Sequence, residues 1–317
     1  MNEPWPLVSA IIPSWNRKSD LMTCLKSLMT QHHVNIEMIV VDDRSTDGSI
    51  EMVKKNFPEV VVISGKSTLG PAHRRNQGIL ASHGEYVLQL DSDTEFNNPD
   101  ALANMVAVLS SRRVVGSVGG EIAAHVSDFG HVHALVFDRM DRPQRISGDR
   151  DAEFECDYLA TLCCMMRRQE LLELGGYDPY GEYGGEDADL GYRMKKAGFR
   201  NLASYKCAAL HHASSSGRHE DASYRFCLAW WRFVIKHRGA SVFFLRFGWY
   251  VLRLGAVLPL VLLRHRHKRD QLSIISMAVK TAAVNMRKLH SIIKMKNTNF
   301  LSPEEMGRFE EYKMKRR

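Results

Sequence analysis

Short apolar runs alternate with amphipathic stretches through the first ninety residues. "LVSAIIP" (7–13) is a continuous apolar segment closed by proline and reads as a buried strand. Ser19 or Asp20 can then cap a helix that brings Leu21, Leu25 and Leu28 onto one face. The alternation repeats with "IEMIVVDD" (36–43) and a helix from about Asp47 carrying Ile50, Val53 and Phe57. It repeats again with "VVVIS" (60–64) and "PAHRRNQGILASHG" (71–84), whose Pro71 suits a first helical turn. "YVLQLDSD" is a fourth strand. Three strand-helix repeats predict an α/β fold on a parallel, doubly wound sheet. From about 114 the pattern loosens: "VVGSVGG" is strand-like, 125–157 is polar and charged, and "YLATLCCMM" (158–166) is apolar. The stretch "GGYDPYGEYGGEDADLGYRMKKAGF" (175–199) reads as a glycine-rich turn followed by a helix. Glu186, Asp187 and Asp189 fill its first turn and Gly198 stops it.

Ligands of such sheets bind outside the carboxyl ends of the strands. Here those ends are Pro13 to Asn16, Asp42-Asp43, Ser64-Gly65 and Asp91 to Asp93, so polar residues gather on one edge. In "YVLQLDSDTEF" (86–96), Asp91 and Asp93 point the same way if the chain stays extended, with Glu95 following. Neighbouring carboxylates resist joint ionisation, so the stretch calls for a metal, a proton or a long turn. No G-x-G-x-x-G follows the first strand and no G-x-x-x-x-G-K-[ST] occurs, which argues against a dinucleotide fingerprint and a P-loop. The phosphates of a bound nucleotide would then need another counter-charge, which a metal on Asp91 and Asp93 would supply.

Charge divides the chain. Residues 1–217 carry 22 basic and 29 acidic side chains, net −7; residues 218–317 carry 21 and 7, net +14. That division places catalysis in an acidic first domain (1–217) and contact with an anionic surface in a basic helical region (218–317). Within the latter, 242–263 is long enough to span a bilayer but contains Arg246, Arg253 and Pro259. Arg246 and Arg253 are seven apart and Arg232 lies fourteen earlier, so one helical face is basic, and "RHRHKR" (264–269) follows. This predicts a helix lying in the interface of an anionic membrane; the alternative is a helix packed on protein with its arginines in water. Residues 302–317 read as a last helix and basic tail. The basic part lacks a nucleic-acid-binding motif, and none is expected as a partner. The start "MNEPWP" does not read as a secretory signal, and six cysteines (Cys24, Cys156, Cys163, Cys164, Cys207, Cys227) without a C-x-x-C pair read as reduced packing residues. The expected location is therefore cytoplasmic, peripheral on the cytoplasmic face of the membrane.

The set "AIIPSWNR", "IVVDDRSTDGS", "GPAHRRNQGI", "GEYVLQLDSDTEF" and "GGEDADLGYRMKKAGF", in that order and spacing over about 7–217, resembles the family 2 glycosyltransferases with a GT-A fold. The resemblance implies a nucleotide-diphosphosugar transferase with a mixed Rossmann-like sheet and flanking helices, to which the helical C-terminal region read above is added. Asp43 matches the aspartate that hydrogen-bonds the donor's base, with Pro13 and Asn16 on the loop beside it. Arg75 matches a basic residue on the nucleotide side. Asp91-Ser92-Asp93 matches the Asp-x-Asp motif, with Asp91 toward the ribose and Asp93 as ligand of a divalent cation, Mn²⁺ or Mg²⁺. Glu186-Asp187 resembles the Glu-Asp motif, whose aspartate is the general base of inverting members. A histidine in "CAALHHASSSG" (207–217) can complete the metal site; strand alternation sends His211 and His212 to opposite faces, and His211 is the expected ligand. The implied donor is a UDP- or dTDP-sugar and the acceptor a glycan or lipid-linked hydroxyl in envelope or cell-surface synthesis. The rivals are a non-catalytic scaffold with this fold and a basic nucleic-acid-binding protein that uses the C-terminal charge on phosphates. The other histidines, including H-x-H at 131–133, receive no role.

Overall fold

The computed structural model describes residues 5–123, 131–181, 184–212, 222–262 and 269–314. The expected repeats form as β1 (Leu7–Ser14), α1 (Lys18–Met29), β2 (Asn35–Asp42), α2 (Ser49–Asn56), β3 (Val61–Ser64), α3 (Pro71–Ala81) and β4 (Tyr86–Leu90). After β5 (Thr94–Glu95) and α4 (Ala101–Ser111) come β6 (Val115–Gly119), β7 (Glu121–Ala123), β8 (His131–Phe137), β9 (Pro143–Asp149), β10 (Glu153–Cys156) and β11 (Cys163–Arg167). Then follow α5 (Arg168–Glu173), α6 (Glu186–Lys196), β12 (Arg200–Ser204), β13 (Ala209–His211), α7 (Ala222–Arg238), α8 (Ala240–Leu262), α9 (Arg269–Met286), α10 (Leu289–Lys294) and α11 (Pro303–Met314).

The main sheet runs β10-β12-β6-β11-β4-β1-β2-β3, and a smaller one β5-β13-β7-β8-β9. β3, β2, β1 and β4 are parallel, as the repeats require. The sheet is not parallel throughout: β11 runs antiparallel between β4 and β6. Its residues, "CCMMR", are all buried, so the strand is legible as a core strand while its direction is not. Alternation along β1 feeds two cores. Val8, Ala10 and Ile12 join Leu21, Leu25, Leu28 and Val53 beneath α1 and α2. Ile11 joins Ile79, Val87, Met166, Tyr177 and Leu190 beneath α3 and α6. All six cysteines are free thiols, five of them buried.

The chain makes two compact units, the first comprising the described residues of Met1–Pro179, Glu186–Arg218 and Asn299–Arg317, the second those of Tyr180–Gly185 and His219–Thr298. Residues from Asn299 on, which the charge division groups with the basic region, thus return to the first unit. The Phe300 amide donates to the Gly175 carbonyl at 2.9 Å, and fully buried Phe309 of α11 stacks on His73 of α3, ring centres 5.2 Å apart. In the second unit Trp231 of α7 is buried, donates its indole N–H to the Ala278 carbonyl at 2.8 Å, and packs edge-on against Phe243 and Tyr250 of α8. Phe243 and Tyr250, two turns apart, fix the inward face of α8. Leu245 and Leu252, likewise two turns apart, are each 76% exposed, with Trp249 between them also open to solvent. The described helices include none long and apolar enough to cross a membrane.

Candidate active site

The carboxyl ends of β1, β2 and β4 and the start of α6 supply the site residues. Pro13 is the penultimate residue of β1, in register with Val41 of β2. Asn16 follows with positive φ (51°), a conformation asparagine tolerates; its amide donates to Ser45 Oγ (2.9 Å) and its Oδ1 accepts from the Thr46 amide (2.8 Å). The loop after β1 is thereby tied to the loop after β2. Asp42 caps that second loop by accepting from the Arg44 and Ser45 amides. Asp43 is also buried: its Oδ1 accepts from the Leu69 amide and from Arg74 Nε, each at 2.7 Å, and its Oδ2 from the Gly70 amide at 2.9 Å. Of the four lone pairs on this carboxylate, one on Oδ2 is not used by these three bonds.

The two arginines of "HRRN" diverge. Arg74 serves Asp43, while Arg75, 2% exposed, donates to Asp91 Oδ1 at 2.5 Å and Glu186 Oε1 at 3.2 Å and lies over the Tyr177 ring at 5.9 Å. One guanidinium thus joins the end of β4 to the first turn of α6, residues more than ninety positions apart. Burial disfavours its charge, but Asp91 and Glu186 outweigh that and strengthen it.

The chain does not stay extended past β4. It turns at 91–93, the Asp91 carbonyl accepting from the Thr94 amide (3.2 Å) and hydroxyl (2.6 Å). The turn separates the two aspartates: Asp91 goes to Arg75, while Asp93, 4% exposed, points its Oδ2 at the Arg17 guanidinium and at His211 Nε2, 3.6 Å away. Ser92 is buried between them. As alternation predicts, His211 and His212 part: His212 Nε2 lies 3.0 Å from Glu95, and His211 Nδ1 lies 2.8 Å from Glu121 Oε1. Burial alone would raise the Asp93 carboxyl, but the His211 bond and the Arg17 charge hold it well below the usual carboxylate range. Burial would likewise lower His211; its bonds to Asp93 and Glu121 push it up to about 9 instead.

Among the described residues no three His, Cys, Asp or Glu side chains form a closed ligand set. Asp93 Oδ2 and His211 Nε2 converge, and Glu121 on Nδ1 orients the ring, the usual support of a metal-ligating histidine. One carboxylate and one imidazole would fit an open site that takes its remaining ligands from outside the protein.

At the start of α6 the three acids take three parts. Asp189 binds Arg193 at 2.8 Å, and Arg193 reaches the carbonyls of Leu174 (2.5 Å) and Gly176 (2.6 Å), which docks the helix. Glu186 takes Arg75. Asp187 Oδ1 accepts from the adjacent Ala188 amide at 2.8 Å and faces a small cavity with Tyr177, Cys164, Ser117 and Asn201, with room for about one water molecule. Surrounded by protein and beside Glu186, the Asp187 carboxyl is pushed up to about 7 by desolvation first and Glu186's charge second. Arg17 and Glu121 were not assigned from sequence. Arg17 ends the stretch "AIIPSWNR" without a spacing that points to Asp93, and Glu121 is ninety residues from its partner.

The fold matches solved glycosyltransferases. The chain aligns with the crystal structure of GalNAc-T7 with UDP, GalNAc and Mn²⁺ at TM-score 0.58 and 18% identity, over 74% of this chain and 48% of that one. It aligns with the mannosyltransferase PcManGT from Pyrobaculum calidifontis, in complex with GDP-Man and Mn²⁺, at TM-score 0.54 and 17% identity, over 89% and 87%. Among curated relatives, the uncharacterized glycosyltransferase YibD of Escherichia coli is 38% identical over 28% of this chain and 26% of its own. The putative colanic acid biosynthesis glycosyl transferase WcaA of the same organism is 36% identical over 32% and 37%. The amylovoran biosynthesis glycosyltransferase AmsB of Erwinia amylovora is 23% identical over 70% and 75%. The chain spans about a quarter to a little over a third of the length of the first two. The model of glycosyl transferase family 2 matches residues 9–175, more than half of the chain, and the protein belongs to that family.

Proposed function

We propose that the protein is an inverting, metal-dependent glycosyltransferase that moves a sugar from a nucleotide-diphosphate donor to a hydroxyl of a glycan or lipid-linked acceptor in surface polysaccharide synthesis. The observation that carries this reading is the Arg75 bridge. It holds Asp91 and Glu186 together, and so sets Asp187, an acid whose proton is lost near neutral pH, beside the end of β4. A general base works best with its pKa near working pH. In this mechanism Asp187 takes the proton of the acceptor hydroxyl, and the oxygen attacks the anomeric carbon opposite the departing nucleoside diphosphate, inverting the configuration. The unused lone pair of Asp43 suits the imide N–H of uracil or thymine, in keeping with a UDP- or dTDP-sugar, with Pro13 and Asn16 shaping the loop beside the base. Asp91, a third of its side chain open, faces the ribose, with Ser92 backing the turn. Asp93 and His211 would hold Mn²⁺ or Mg²⁺, with Asp91 close in sequence. When bound, that ion supplies positive charge against the leaving diphosphate.

A thermal-shift panel of UDP, dTDP, GDP and CDP, each with and without Mn²⁺ or Mg²⁺, tests the donor site. A nucleotide at a hundredfold its Kd stabilises the fold by about 2.7 kcal/mol. The expected result is a metal-dependent rise of several degrees with UDP or dTDP that Asp93→Ala abolishes. No shift with any nucleotide would overturn the donor-site reading and leave the scaffold.

The second unit supports action at a membrane. α8 exposes Leu245, Trp249 and Leu252 along one side, Arg253 lies over the Trp249 ring at 5.2 Å, and residues 219–298 carry 15 basic and 3 acidic side chains, net +12. Apolar side chains backed by basic ones suit an anionic lipid surface, here the cytoplasmic face of the membrane. Co-sedimentation with phosphatidylglycerol vesicles is expected to succeed for the native chain and to fall at least about fivefold for Leu245→Glu/Leu252→Glu, since a charge replaces each inserted side chain. Equal sedimentation of the two proteins would remove α8 from the membrane reading.

A further inference from the structure

Asp93 Oδ2 faces the guanidinium of Arg17 on one side and His211 Nε2 on the other. The site reading proposed above, on which this inference rests, sends a divalent ion to the same oxygen. A guanidinium has no lone pair and keeps its charge, so Arg17 cannot become a ligand; it can only compete with the ion or leave. The backbone on either side of it is pinned. The Asn16 amide is held by Ser45 Oγ at 2.9 Å, and the Lys18 amide by Asp47 Oδ2 at 2.9 Å. Arg17 also opens α1, its carbonyl accepting from the Leu21 amide at 2.8 Å. The movable part is therefore the side chain, 15% exposed on the same strand-end edge as Asp43 and Asp91. A planar fork of donors released there matches phosphate oxygens bidentately.

We propose that Arg17 competes with the divalent ion for Asp93 and, once displaced, pairs with the donor's diphosphate, so that metal and nucleotide bind as one unit while metal alone binds poorly. Arg17 is then a donor-binding residue with two partners in turn. The competition sets the size of the effect: if the Arg17–Asp93 pair is closed about nine-tenths of the time, the apparent affinity for the ion alone is about tenfold weaker than the intrinsic one.

The test is a Mn²⁺ titration followed by the electron paramagnetic resonance signal of the free ion. It uses the native chain, Arg17→Gln, Arg17→Lys and Arg17→Gln/Asp93→Asn, each first without nucleotide and then with UDP or GDP, and with circular dichroism to show that each is folded. Expected are about tenfold tighter binding of Mn²⁺ alone to Arg17→Gln, loss of that gain when Asp93→Asn is added, and native-like weak binding to Arg17→Lys, which keeps the charge. Nucleotide should tighten Mn²⁺ binding by a larger factor in the native chain than in Arg17→Gln. Equal Mn²⁺ affinity of the native chain and Arg17→Gln, with Asp93-dependent binding present in both, would overturn the role of Arg17 and leave the Asp93 site standing. Absence of Asp93-dependent Mn²⁺ binding from every protein, with and without nucleotide, would overturn both.

Discussion

Asp187→Asn is expected to lower the rate of sugar transfer by about a hundredfold to ten-thousandfold, the usual worth of a positioned general base, while leaving the nucleotide-dependent thermal shift in place. Asparagine keeps the oxygen that accepts from the Ala188 amide, so the start of α6 is preserved and only the proton acceptor is lost. The native rate should rise with pH through about 7 as Asp187 ionises, and level off above it. Stability moves the other way. The folded carboxyl titrates near 7 against an ordinary 3.8, so its contribution is fully present below about 4 and is lost as pH rises through about 7. The asparagine variant should therefore melt higher than the native chain at pH 8 and show no such gain at pH 4. Initial rates between pH 5.5 and 8.5, with melting curves at both ends, check the two halves separately. A variant that keeps a tenth of the native rate would remove Asp187 from the base role.

Arg75→Met is expected to destabilise the first unit by about 3 to 5 kcal/mol, the range for breaking a buried ion pair from one side. Arg75 is 2% exposed and Glu186 9%, so the variant leaves a buried carboxylate facing a thioether-bearing chain instead of a cation. Asp91, with 35% of its side chain open, is partly screened and carries the smaller share. Arg75→Lys should fall between the two, since one ammonium cannot reach both carboxylates with a planar fork. Urea unfolding followed by tryptophan fluorescence and circular dichroism gives the numbers; a loss under about 1 kcal/mol would mean that the bridge does not hold α6 to β4.

The strand-end edge was legible because it follows from period alone. Apolar runs of strand length alternating with 3.6-residue periodicity put Pro13, Asp43 and Asp91 at strand ends, and the first four strands pair as that alternation requires. The opposite orientations of His211 and His212 were legible for the same reason, a period of two. The extended reading of "DSD" failed because Thr94 bonds back to the Asp91 carbonyl, a local side-chain bond that competes with the strand. Of "HRRN", sequence adjacency could not say that Arg74 serves Asp43 and Arg75 the other end of the site, because successive helical residues point about 100° apart.

The sequence by itself determined the alternating α/β order, the polar strand ends, the acidic first turn of α6 and the family motifs, since each depends on residues close together in the chain. Only the tertiary structure decided which partners those residues meet: Arg17 and His211 on Asp93, Glu121 on His211, Arg75 between Asp91 and Glu186, β11 inserted antiparallel between β4 and β6, and α11 returned to α3. Periodicity states that a face is buried or a charge is present, but it carries no information about which distant segment covers or neutralises it. That choice is made when packing and ion pairing are satisfied together across the whole unit.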